Sequence, residues 1–82
     1  KRIGHERFLR NVLIALGNSG QPEQGRLAEA RLSDASPLVR GAAVWAVRRL
    51  LPEDRSASLR LAFLPLETDT SVRSEWTEEL TA

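Results

Sequence analysis

Apolar positions recur with helical spacing most strongly across residues 36–51, where Val39, Ala42, Ala43, Ala46, Val47 and Leu50 fall on one side of a helical wheel. Trp45 and Leu38 flank that stripe, so this helix is expected to meet neighbours on two sides, with Gly41 and the alanines keeping it slim. Ser36 is a natural N-cap, Pro37 suits the first helical position, and Pro52 ends the segment. A first helix is predicted within residues 1–16, starting near Gly4 or His5. Its buried side would be Phe8, Leu9, Val12, Leu13, Ala15 and Leu16, with Arg7, Arg10, Asn11 and Ile14 opposite. Gly17 is the expected left-handed C-cap. Pro22 opens a second helix to about Ser33, half-exposed, whose apolar contacts are Leu27, Ala28 and Leu32.

A fourth helix over residues 53–64 carries Leu59, Ala62, Phe63 and Leu66 at core spacing, with Glu53 and Asp54 at its positive end and Pro65 stopping or kinking it. Asp69 or Thr70 caps a fifth, in which Val72, Trp76 and Leu80 face inward while Glu75, Glu78 and Glu79 are solvated. The expectation is an all-α domain of five helices, two hairpins plus a C-terminal capping helix, without strands. Its core would contain Phe8, Val12, Leu16, Val39, Ala42, Ala46, Leu50, Leu59, Phe63 and Trp76, with Trp45 also packed.

Eighty-two residues make a single small domain, 1–82, burying roughly 60–65% of its unfolded surface, too little for a substrate cleft beside a cofactor site. With no cysteine, disulfides, thiolate nucleophiles, cysteine-bound zinc and iron–sulfur clusters are excluded within this segment, which fits a cytoplasmic setting. No apolar run approaches the roughly 18 residues of a membrane span, so no membrane partner is expected. A chain that begins at Lys1 and contains no methionine reads as a piece of a longer protein.

The net charge of +1 hides an asymmetry. Residues 1–66 carry eleven basic and six acidic side chains, a net +5; residues 67–82 carry one and five, a net −4. Eleven of the twelve basic residues are arginine, suited to bidentate phosphate or carboxylate contact. They suit either a solvated surface with ion pairs between helices or a basic face for an anionic polymer.

An internal repeat underlies the helices. Asp34, Val39 and Arg40 align with Glu67, Val72 and Arg73 thirty-three residues later, and Leu9-Arg10-Asn11 aligns with Val39-Arg40-Gly41 at a spacing of thirty. An acid, four residues, then Val-Arg opening a helix resembles the HEAT repeat, which stacks helical hairpins into an α-solenoid. The units are shorter than usual, and Gly4 replaces the acid in the first copy. Arg40 and Arg73, recurring with Asp34 and Glu67, are expected in an ion-pair ladder between repeats.

The wording of residues 5–20, 36–47 and 67–76 (HERFLRNVLIALGNSG, SPLVRGAAVWAV, ETDTSVRSEW) resembles the C-terminal region of bacterial epoxyqueuosine reductases. That resemblance implies an oxidoreductase parent acting in tRNA queuosine modification, with cobalamin and iron–sulfur clusters in upstream domains and a HEAT-like C-terminal domain that helps hold the tRNA. It implies no cofactor, metal or catalytic residue in this fragment, whose partners would be tRNA and the upstream catalytic domains of the same chain. Arg7, Arg10, Asn11, Arg48 and Arg49 are the candidate RNA-binding residues. The alternative is a HEAT-like protein–protein scaffold with an exposed apolar patch. An independent small enzyme finds no support, since His5 is alone and Ser19 and Ser36 have no adjacent base.

Overall fold

The computed structural model describes residues 2–78. Five α-helices, α1 (Arg2–Asn18), α2 (Gly25–Glu29), α3 (Pro37–Leu50), α4 (Glu53–Phe63) and α5 (Thr70–Thr77), are joined by two 3₁₀ turns, Pro22–Gln24 and Leu64–Leu66; the described residues contain no strand. The second helix is thus a 3₁₀ turn followed by a short α-helix rather than one continuous element. Pro65 acts as expected, converting the end of α4 into a 3₁₀ turn.

Helix α3 lies between α1 and α5, with α2 packed behind it and α4 touching it more lightly. Val39, Ala43, Val44, Ala46, Val47 and Leu50 are all buried, a wider band than the wheel predicted because α3 has neighbours on several sides. Leu13, Ala28, Leu32, Leu59, Val72 and Trp76 complete the core. Of the predicted core, Val39, Ala46, Leu50, Leu59 and Trp76 are buried, while Leu16, Ala42, Phe63 and Trp45 are half-buried against it.

Several positions depart from expectation. Phe8 is 63% and Val12 38% exposed. Helix α1 turns Glu6, Leu9, Leu13 and Gly17 inward, and α2, only five residues long, is too short to cover the rest. Ala15, Leu27, Ala62 and Leu66 are likewise exposed, and α4 packs through Ser56, Leu59 and Phe63 instead. Leu80 lies outside the described residues. Gly17 is not a left-handed cap: α1 runs on to Asn18, and among the described residues the one with positive φ is Gly20 (71°). Gly17 lets the Trp45 ring approach α1, where a Cβ would overlap the indole.

The thirty-three-residue repeat is a repeat of local geometry. The Asp34 carboxylate accepts the Ser36 N–H (2.9 Å), as the Glu67 carboxylate accepts the Asp69 N–H (3.0 Å). Ser36 then caps α3 through the Val39 N–H, and Asp69 caps α5 through the Val72 N–H. The Arg40 guanidinium donates to the Asp34 carbonyl (3.0 Å), and that of Arg73 to the Glu67 carbonyl (2.9 Å), in each case six residues back. Arg40 also joins the two corners: Nε and one terminal nitrogen donate to the two Glu67 oxygens at 2.9 and 2.8 Å. Arg73 donates to carbonyls, those of Leu64 and Glu67, and has no carboxylate partner among the described residues. The ladder therefore has one ionic rung, and Ser36 ties α1 to it by donating to Glu6 (3.1 Å).

Two outcomes follow. Gly17→Ala improves helix propensity yet should destabilise the domain by about 1–3 kcal/mol, because the methyl displaces Trp45; thermal unfolding reads it. The Arg40 hydrogen bonds hold the Glu67 carboxyl below its ordinary value of 4.5, outweighing the opposing effect of burial. A depressed folded pKa contributes stability that is present above the unfolded pKa and lost as pH falls through the folded one. Glu67→Gln should thus cost about 1–2 kcal/mol near pH 7, with the difference from the parent chain shrinking steadily below about pH 4.

Candidate nucleic-acid interface

The five candidate residues separate into two groups. Arg7, Arg10 and Asn11 lie exposed on consecutive turns of α1. Arg7 has no carboxylate partner among the described residues, and Arg10 touches only the side-chain oxygen of its neighbour Asn11, at 3.5 Å. Spacing of three and four places Arg7, Arg10 and Ile14 in one row along the helix.

Arg48, half-buried, and Arg49, exposed, are both engaged by other helices of the domain. One Arg48 nitrogen donates to the carbonyls of Glu75 and Glu78, closing the C-terminal end of α5, where free carbonyls and the helix dipole favour a cation. Arg49 donates Nε–H to the Gly17 carbonyl (3.3 Å), and its guanidinium carbon stands 4.8 Å from the Trp45 ring centroid. Both residues fix helices to each other, a role the sequence conceals because the acceptors are backbone carbonyls thirty residues away. Arg31 and Arg55 are paired with Asp34 and Glu29.

Beside the α1 row lies an open groove of about 330 Å³ between α1, α3 and α5. Arg10 and Ile14 form one wall, Leu38, Ala42 and Trp45 the second, and Ser71, Val72 and Glu75 the third, over a floor at Gly41. Ile14 is half-buried here, which explains an apolar residue in a row of polar ones. Glu75 is not solvated as expected but half-buried; Glu78 is exposed, and Glu79 lies outside the described residues. Burial, then repulsion from Glu78, pushes the Glu75 carboxyl up, while Arg48 pulls it down. The signal available in the sequence was its position three residues after Val72, on the same side of α5.

The described residues include no group of three or more His, Asp or Glu side chains placed to hold a metal ion, and the chain has no cysteine. This donor set does not fit an iron–sulfur cluster. No helix among the described residues is long and apolar enough to cross a membrane.

Fold and surface together define a small all-helical domain with an internal repeat and an arginine-bearing outer row. Over 55 residues the chain is 47% identical to an epoxyqueuosine reductase from Alicycliphilus denitrificans (strain DSM 14773 / CIP 107495 / K601), a match covering 57% of this chain and 15% of that protein. The chain is therefore related to that enzyme and spans a small part of its length. No family model matches the chain, and no solved structure matches it.

The Arg48 assignment predicts that Arg48→Met leaves the α5 carbonyls unpartnered. Amide exchange in residues 70–78 should quicken, with a stability loss of about 1–2 kcal/mol, while exchange in α1 stays unchanged.

Proposed function

We propose that this chain is a HEAT-like helical-repeat module that docks tRNA for an epoxyqueuosine reductase acting in queuosine modification. The identity with such an enzyme supports the pathway. The repeated corner at residues 34–40 and 67–73, with α1, α3 and α5 packed in succession, supports the solenoid reading. One observation carries the docking role. In a domain whose central arginines bind its own carbonyls and carboxylates, Arg7 and Arg10 stand exposed on one helix face without a carboxylate partner among the described residues. Guanidinium groups so placed can meet successive phosphates, and folded RNA is recognised largely by shape and backbone. None of this chain's residues is assigned to reductase chemistry; cobalamin and iron–sulfur clusters are assigned to other domains of the parent.

A second reading, a protein–protein scaffold, draws on a different surface. Phe8 and Leu27 are more than half exposed, and Val12 and Leu27 line an apolar groove between α1 and α2.

The test is tRNA affinity measured across a salt series. Arg7→Ala with Arg10→Ala should flatten the slope of log affinity against log salt by somewhat under one unit per lost phosphate contact. Both side chains are exposed, so helix content should hold and stability change by less than about 1 kcal/mol. Unchanged affinity and slope in the double variant would remove this face from RNA binding and favour the scaffold.

A further inference from the structure

We infer that the groove between α1, α3 and α5 seats one unstacked RNA base carrying an amino group, with Arg10 on its phosphate and Glu75 on its base edge. This rests on the RNA-docking reading and narrows it: the partner is a loop or single strand, not a continuous duplex.

Three features of the groove point the same way. Its walls are apolar where a base would lie, with Ile14 on one side and Trp45 on the other, and its volume of about 330 Å³ exceeds what one base fills. Trp45 is held in place from outside the groove, by Gly17 against its ring and Arg49 over it, so this aromatic wall is set before any ligand arrives. Aromatic walls of this kind take unstacked bases of any sequence.

The groove carries one charge of each sign, on opposite walls. Arg10 stands on the α1 wall in line with Arg7, so a strand whose phosphates follow that row brings a nucleotide to the groove. Glu75 stands on the α5 wall opposite. A carboxylate at a phosphate site would repel the ligand, but against a base edge it accepts hydrogen bonds from amino hydrogens. Adenine, cytosine and guanine present such an amino group. Uracil presents a single ring N–H between two carbonyl oxygens, which the carboxylate repels.

Trp76 is buried, so the indole that bound RNA can reach is Trp45, and tryptophan emission reports occupancy. The 82-residue chain is titrated with an RNA stem-loop whose loop contains adenine and cytosine, with the same stem closed by an all-uridine loop, and with a blunt duplex of equal length. The expected result is quenching by the first RNA, with roughly tenfold tighter binding than to the other two. A Cβ at Gly41 would meet Val72 and Glu75 only at 3.8 and 4.0 Å, so a side chain can start there without overlap, and Gly41→Leu extends it across the groove floor. It should erase the loop preference and the quenching while leaving duplex affinity and thermal stability in place. Should that variant fail to fold, Glu75→Gln provides the second reading, since an amide both donates and accepts and the uridine loop should then approach the adenine–cytosine loop in affinity. Equal binding of all three RNAs without quenching would overturn the base site and leave the arginine row standing. Binding of none would overturn both.

Discussion

Close packing around α3 is the constraint on which the remaining structure depends. Its alanines and valines leave the helix narrow, so α1, α2 and α5 can all approach, and Val39, Ala43, Ala46 and Val47 lose essentially all contact with water. A domain of this size has little buried apolar area to distribute, and here most of it passes through one helix. The close approach of α1 requires Gly17, which makes room for Trp45; that ring in turn carries Arg49. Changes at any of these positions are therefore coupled through shared neighbours.

The polar part of the fold uses arginine where a larger protein would use more core. Arg40, Arg48, Arg49 and Arg73 each reach carbonyls or a carboxylate at a helix end or an interhelical corner. A planar guanidinium presents five donors in a fixed fork spread over three nitrogens, whereas a lysine offers three donors from one point charge. Arginine enrichment, taken as a whole, is thus a weak sign of nucleic-acid binding in this chain. Arg7 and Arg10 lack any such engagement with a carboxylate or carbonyl among the described residues, as do Arg26 and Arg60; what sets Arg7 and Arg10 apart is that they stand on consecutive turns of one helix, beside the groove.

The site combines these two themes. A groove forms because α1, α3 and α5 meet over a small floor, and the arginine row borders it because α1 presents Arg7, Arg10 and Ile14 at helical spacing. Its walls are rigid for the same reason that the core is: Trp45 and Val72 belong at once to the groove lining and to the packing around α3.

The sequence by itself determined the all-helical class, the ends of α3, the capping of α5 by Asp69, the stop at Pro65 and the thirty-three-residue repeat. These depend on local chemistry (capping oxygens, ring-locked backbone, apolar period), and local chemistry is written in neighbouring residues. Only the tertiary structure decided which apolar residues are covered. Phe8, Val12 and Leu27 satisfy the helical period yet stay exposed, because burial needs a partner and α2 is too short to supply one. It likewise decided that Gly17 serves a close approach rather than a cap, that Arg48 and Arg49 bond to backbone carbonyls of other helices, and that Glu75 is half-buried. Each depends on atoms some thirty residues distant, whose position no local pattern encodes.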